Sequence, residues 1–368
     1  MSFDAASLTN AAIGDLRAYD PGHDLPALRL RFGAAIAVLG SNENPLGPSP
    51  RARAAAQIAL ANIHRYPDPK GGALKAALSR RLNVDRDRIA LGNGSHELLM
   101  LLAQCFADAA HEVIYSQYGF AVFMLAAAAS GARATAIPSL PANHPAMPLG
   151  HDLDALAAAI GKATRLVYLA NPNNPTGSWF DDDALAAFLD RVPPQVLVVV
   201  DEAYHEYVDA PGLSSALQFA ERHPNLVVTR TFSKAYGLAG LRVGYAVAHP
   251  SVIAVLERLR ESFNVNGVAL AAAEAALEDP GHLARVREFN RSERAWLAAE
   301  LARRGYRTLP SQTNFLLLDL ARDATLLERH LFEHGVIVRP MGGYGLAHAL
   351  RISIGRRDEN LRLLEALP

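Results

Sequence analysis

The chain has 368 residues, 50% apolar and 20% charged, enough to bury a large core and more than one small core usually organises. Lys and Arg total 36 against 37 Asp and Glu, a formal charge of −1, so no net basic field recruits nucleic acid or an anionic membrane. The single cysteine, Cys105, excludes a disulfide framework within the chain and points to a reducing compartment, the cytoplasm.

The N-terminus MSFDAASLTN lacks a basic segment followed by an apolar one, so no secretory signal is expected. No apolar stretch reaches the roughly 18 residues of a membrane span. In chain order, helical periodicity appears at 51–63, 74–82 and 97–106, and the alanine-rich stretch 120–129 reads as a buried helix. Cys105 sits in the apolar run 98–106 and reads as a buried small apolar residue. Aliphatic or β-branched runs follow at 112–115, 166–170, 196–200, 226–229 and 243–248, with a helical stretch at 181–190 between them. The Asp181-Asp182-Asp183 run reads as the solvated N-terminus of that helix. Strands alternating with helices predict an α/β fold with a mostly parallel sheet between helices.

The last third reads differently. A helical segment spans 269–304, interrupted near Pro280-Gly281; short strands follow at 315–318 and 350–354, and a final helix begins near Asp358. This predicts a smaller α+β domain. The expected division is 1–44 as an N-terminal arm with part of the small domain, 45–265 as a large cofactor-binding domain and 266–368 as the small C-terminal domain.

The informative polar residues follow the predicted strands, where ligands bind in an open parallel sheet. After 166–170 comes Asn171-Pro172-Asn173-Asn174-Pro175-Thr176-Gly177, a turn-forming run that either connects strand to helix or sets the Asn174 amide against a ligand oxygen. After 196–200 comes Asp201-Glu202-Ala203-Tyr204. A carboxylate ending an apolar strand is costly unless paired. Opposite a pyridine nitrogen, Asp201 would keep that nitrogen protonated and the ring a good electron sink, with Tyr204 near a ring hydroxyl. The plainer alternative is a helix cap and a packed tyrosine.

The third segment, 229–242, holds Thr231, Ser233, Lys234 and Arg242 among glycines. A lysine that forms a Schiff base must lose its proton near neutral pH, which burial favours. Thr231, Ser233 and the Arg242 fork suit a phosphate. Read alone, Lys234 is a surface lysine in a glycine-rich loop. The fourth segment, Leu91-Gly92-Asn93-Gly94-Ser95-His96-Glu97-Leu98, opens a helix whose free N–H groups form an anion site, with Ser95 also a candidate N-cap and His96 contributing its main chain. Together these residues suit a phosphorylated pyridine aldehyde.

The chain resembles fold-type-I aminotransferases dependent on pyridoxal 5′-phosphate, most closely the histidinol-phosphate aminotransferase family. Ser41-Asn42-Glu43-Asn44-Pro45-Leu46-Gly47-Pro48 and Arg65-Tyr66-Pro67-Asp68 look like that family's N-terminal signatures, and 171–177, 201–204, 233–242 and 350–355 complete the order. The likeness runs from about Tyr19 to the C-terminus. It implies that Lys234 binds the cofactor and moves the proton between substrate Cα and cofactor C4′. It assigns the pyridine nitrogen to Asp201, the ring oxygen to Asn174 and Tyr204, and the phosphate to Ser95, His96, Thr231, Ser233 and Arg242. Tyr118 would stack on the ring, and Tyr66 would reach the phosphate in a neighbouring subunit of a homodimer. Arg351 would clamp a substrate carboxylate or phosphate, with Tyr19, Asn44 and Arg339 near the distal part of the substrate.

Two positions depart from the pattern. Ser116-Gln117 precedes Tyr118 where many relatives have a proline-led turn, and His96 replaces an often acidic residue. The implied reaction is L-histidinol phosphate with 2-oxoglutarate giving imidazole acetol phosphate and L-glutamate. Rival activities on the same residues are an aromatic amino acid aminotransferase and a phospho-amino-acid decarboxylase. A non-catalytic regulator that binds the cofactor is the rival from another class, but the segment before Asn42 is too short for an added DNA-binding domain. No metal is expected: His111, His144, His151, His249, His330 and His334 lack ligand spacing and read as exposed or capping.

Overall fold

A computed structural model of the chain describes every residue except 1, 2, 4, 10, 15, 17–23, 34 and 35. Tyr19 therefore lies outside the described residues. Seven strands form the central sheet: β1 (Ile89–Gly92), β2 (Glu112–Ser116), β3 (Arg133–Ile137), β4 (Thr164–Ala170), β5 (Leu197–Asp201), β6 (Leu226–Thr231) and β7 (Gly244–Val247). They lie side by side as β1-β7-β6-β5-β4-β2-β3. All neighbours pair in parallel except β7, which is antiparallel to both β1 and β6.

The apolar runs produce this layering because alternate strand residues face opposite sides. Along β4, Leu166, Tyr168 and Ala170 face a layer built from helices Ser95–Phe106 and Val122–Ser130; Val167 and Leu169 face Leu185 and Phe188 of helix Asp182–Leu189. Phe123 stacks on Tyr168 at 4.9 Å, and the buried Tyr168 hydroxyl donates to the Leu99 carbonyl at 2.7 Å. Asp181 caps its helix, accepting from the Ala184 N–H at 2.8 Å, as the acidic run predicts.

Two strands of the central sheet are not evident from the sequence. β1 has only four residues, and β3 is a partly exposed edge strand of sequence RATAI that needs little apolar patterning. The long helical segment is two helices, Gly267–Leu277 and Pro280–Arg303, the second capped by Asp279. Ala269, Ala272 and Ala273 pack with Leu74, Ala77 and Leu78 of the larger body, and Val286 joins the same cluster. Leu297 and Leu301, further along the second helix, enter the core of the smaller body.

That smaller body holds β8 (Arg307–Thr308), β9 (Phe315–Asp319), β10 (Arg339–Pro340) and β11 (Ala349–Ser353), antiparallel throughout in the order β10-β11-β9-β8. Residues Ala37–Val38 pair in parallel with Val336–Ile337, and Ala37 and Leu39 share the core of Leu316 and Leu350. Residues 37–39 thus belong to the smaller body, ahead of the chain's passage into the larger one. Among the described residues, no helix is long and apolar enough to cross a membrane.

Candidate active site

The loops after β4, β5 and β6, the turn before β7 and the helix after β1 converge on one cavity of about 230 Å³. The order of strands across the sheet spreads its chemistry along one line. β1 and β7 bring Ser95 and Arg242 to one end, β6 brings Thr231, Ser233 and Lys234, and β5 and β4 bring Asp201, Tyr204 and Asn174 toward the other. Neighbouring strands lie about 4.8 Å apart, so the line is long enough to hold a ring and a phosphate side by side.

The basic end is an anion cradle. Helix Ser95–Phe106 begins directly after Gly94 with no side-chain cap, so Ser95 is not the N-cap the sequence suggests and its first N–H groups stay free. Arg242 Nη1 donates to Ser233 Oγ at 3.2 Å, and Thr231 Oγ1 donates to the same oxygen at 3.0 Å. The cradle is closely fitted. A Cβ on Gly94, at φ 81°, would stand 2.5 Å from Arg242 Nη2, and one on Gly244 would stand 2.5 Å from the Ser95 nitrogen.

At the other end Asp201 is buried at the tip of β5 and accepts from Thr229 Oγ1 on β6 at 2.8 Å. Burial pushes its carboxyl up to about 7, against the Thr229 hydrogen bond, with the Glu202 charge adding to the rise and Lys234 opposing it. Lys234 is half-buried, and its Nζ donates to the Ser41 carbonyl at 3.3 Å. Burial first, then the Arg351 charge, lowers its ammonium to about 8, with Glu43 opposing and Arg242 assisting. A fraction of this amine is neutral near physiological pH, as a carbonyl-reactive lysine requires.

Arg351, on β11, donates from Nη1 to Asn174 Oδ1 at 2.6 Å and from Nη2 to the Gly40 carbonyl at 2.8 Å. With Oδ1 engaged, the Asn174 amide presents its NH2 as a donor. The Tyr204 hydroxyl accepts from Asn42 Nδ2 at 3.0 Å, and its ring meets Phe315 edge-on at 5.3 Å. Arg339 completes the cationic side of the cavity.

The residues expected from sequence divide accordingly. Ser95, His96, Asn174, Asp201, Tyr204, Thr231, Ser233, Lys234, Arg242, Arg339 and Arg351 all line the cavity. Tyr118 does not: it packs beside the Leu149–Leu309 cluster while its carbonyl accepts from Asn173 Nδ2, and Phe120 forms the aromatic wall. Asn44 does not either, because its amide is engaged by the Ala235 carbonyl at 2.9 Å, bracing the loop next to Lys234. Tyr66 is 82% exposed and stacks on Phe263 at 4.5 Å, away from the cavity of its own chain. His151, expected to be exposed or capping, is instead buried, its Nε2 2.9 Å from the Ala170 carbonyl, and burial lowers it to about 4. Asn42, Phe120 and Thr229 are site residues that no motif chemistry singles out, although Asn42 lies in the 41–48 signature and Thr229 opens the 229–242 segment.

The donor set fits pyridoxal 5′-phosphate: an anion cradle, a buried acid, two ring-oxygen donors and an amine of lowered pKa share one cavity. Among the described residues, no cluster of His, Cys, Asp or Glu is arranged to hold a metal ion.

The fold is that of the fold-type-I transferases. It superposes on a solved histidinol-phosphate aminotransferase from Sinorhizobium meliloti, in complex with pyridoxal-5′-phosphate, with a TM-score of 0.88 and 34% identity over 98% of this chain and 97% of that one. The family model for aminotransferase class I and II matches residues 35–367, and the chain belongs to that family. Histidinol-phosphate aminotransferase 1 of Nitrosococcus oceani is 47% identical over 361 residues, 98% of this chain and 96% of that protein. Histidinol-phosphate aminotransferase 2 of Pseudomonas aeruginosa is 47% identical over 367 residues, 99% of this chain and 98% of that protein.

Proposed function

We propose that this chain is a cytoplasmic, pyridoxal-5′-phosphate-dependent aminotransferase of histidine biosynthesis. It transfers the amino group of L-histidinol phosphate to 2-oxoglutarate, giving imidazole acetol phosphate and L-glutamate. The observation that carries the reading is Lys234, with its ammonium lowered to about 8, in one cavity with the buried Asp201 and the Arg242 cradle. The full-length similarity to histidinol-phosphate aminotransferases supports the choice of substrate.

When bound, the cofactor supplies a carbonyl for amine exchange and a conjugated ring that accepts the electron pair left at the substrate Cα. Lys234 Nζ anchors it and moves the proton at Cα. Asp201 holds the proton on the pyridine nitrogen, and Asn174 Nδ2 and the Tyr204 hydroxyl donate to the ring oxygen. The N–H groups of Ser95 and His96, the hydroxyls of Thr231 and Ser233, and the Arg242 guanidinium hold the phosphate. Phe120, the aromatic side chain lining the cavity, would cover the ring face. Arg351 would clamp a carboxylate of the partner substrate, and Arg339 lines the end that would receive the distal phosphate.

The functional unit is a homodimer in which Tyr66 completes the phosphate site of the neighbouring subunit. Its exposure supports that role, and Ile58 and Ile63, close to it in sequence, are exposed too. We place the division between domains within helix Pro280–Arg303 rather than at 265/266, because helix Gly267–Leu277 packs on the larger body.

The test is to incubate the purified protein with histidinol phosphate and 2-oxoglutarate and to assay glutamate. Glutamate formation is expected. Turnover with phenylalanine but none with histidinol phosphate would sink the substrate assignment, and carbon dioxide release without nitrogen transfer would sink the aminotransferase reading.

A further inference from the structure

Asn42 has no contact role in the chemistry above, yet it is only 1% exposed, lines the cavity and is held by both bodies of the protein. Its backbone has φ 56°, in the left-handed region that asparagine tolerates better than most residues. Its N–H donates to Ser353 Oγ at 2.7 Å, and that hydroxyl passes its own proton to Asn42 Oδ1 at 3.0 Å. Its carbonyl accepts from Asn314 Nδ2 at 3.0 Å.

These bonds fix the sense of the side-chain amide. The oxygen is bound to Ser353, so the NH2 faces Tyr204 and donates to its hydroxyl at 3.0 Å. A phenolic oxygen that accepts from an amide keeps its single proton to donate elsewhere. We propose that Asn42 is a positioning residue that directs the Tyr204 proton into the cavity, toward the cofactor's ring oxygen. The proposal rests on the cofactor reading above.

The charged and titratable groups acting on Tyr204 are Arg351 from β11, Asp201 from β5, Tyr344, and Lys234, whose Nζ lies 5.7 Å from the ring centroid. Arg351 directs its two Nη groups to Asn174 and Gly40, and the donor bound to the Tyr204 hydroxyl is Asn42. Ser353 and Asn314 belong to the smaller body and Tyr204 to the larger, so the relay ties the direction of one proton to the seating of the two bodies.

The test titrates the visible absorption of the cofactor-loaded protein against pH. A donor to the ring oxygen favours its ionised form, so weakening that donor raises the midpoint. Asn42→Gly keeps the left-handed backbone and removes only the amide. It is expected to raise the midpoint by roughly half to one pH unit, the scale of one hydrogen bond. Tyr204→Phe is expected to raise it at least as far, and the double variant no further than Tyr204→Phe alone. Ser353→Ala, which frees the amide to turn, shifts it in the same direction and serves if Asn42→Gly does not fold by circular dichroism. An unmoved midpoint with a lowered melting temperature, or shifts that add in the double variant, would overturn the proposal. Failure of the unmodified protein to show any Lys234-dependent absorption would instead overturn the cofactor reading.

Discussion

Asp201 and Arg351 hold their ionisation and geometry through different physics. The Asp201 carboxyl is buried and releases its proton near pH 7 rather than near 3.8. A carboxyl that binds its proton more tightly when folded lends stability that is full below the unfolded value and fades as pH rises to the folded one. The cofactor-free protein should therefore lose the Asp201 contribution between about pH 4 and 7. Asp201→Asn should melt higher relative to the unmodified cofactor-free protein as pH rises across that window, while cofactor binding and glutamate formation fall. A melting difference that stays flat across the window would refute the buried-acid assignment. Arg351 uses both arms of its fork, on Asn174 and on Gly40. Arg351→Lys keeps the charge but not the fork, and the KM for 2-oxoglutarate should rise roughly 10- to 100-fold, with kcat changed less. A KM within twofold of the original would remove Arg351 from carboxylate recognition.

At the scale of elements, the site depends on how closely β7 approaches the helix after β1. A Cβ placed on Gly244 would meet only backbone: the Ser95 nitrogen, and at 2.8 Å both the Arg230 carbonyl oxygen and the Gly94 carbonyl carbon. Gly244→Ala should cost about 1–3 kcal/mol of stability and push the helix N-terminus off the phosphate position. Affinity for pyridoxal 5′-phosphate should fall more than affinity for pyridoxal, and equal losses would contradict the cradle. Beneath β5 and β6, buried Glu202 takes Arg230 Nη2 at 2.7 Å and Nε at 2.9 Å, the Ser215 hydroxyl, and the Ala216 N–H at 2.6 Å. Burial works to raise the Glu202 carboxyl, but Arg230 and then His205 hold it below its ordinary value. Glu202→Ala leaves the Arg230 charge buried and unpaired, so urea unfolding should show a loss of about 3–5 kcal/mol. These elements differed in how visible they were in the sequence. β4 and β5 are apolar on both faces and stood out as unbroken runs. β3 did not, because an edge strand with exposed residues needs no such pattern, and β1 was too short to show one.

At the scale of the molecule, the exposure of apolar residues in the stretch 58–66 calls for a partner. Ile58, Ile63 and Tyr66 are exposed, and Tyr66 lies stacked on Phe263, itself at φ 60°. Large apolar side chains left exposed along one short stretch, 58–66, suit an interaction site. Ile63→Asp should shift the protein toward monomer in sedimentation velocity and weaken cofactor binding together. A fully cofactor-bound monomer would argue against a shared site.

The chemistry and its order along the chain were legible before any fold was known. Lys234, Asp201, Asn174, Tyr204, Thr231 and Ser233 stand at or just after the ends of apolar runs, and a parallel sheet gathers such positions at one edge whatever its details, while Arg242 stands just before the run that forms the antiparallel β7. Those signals are local: each motif carries its own turn residues and strand end. Residues joined across the chain acquired their use only through folding. Asn42 meets Ser353 across 311 positions and Tyr204 across 162, separations that leave no periodicity to read. The same holds for Asn44, which braces the Lys234 loop instead of facing the cavity, and for Phe120, which takes the wall where Tyr118 was expected. Residue type sets what a side chain can do, but the packing of two bodies against each other sets which oxygen or ring it faces.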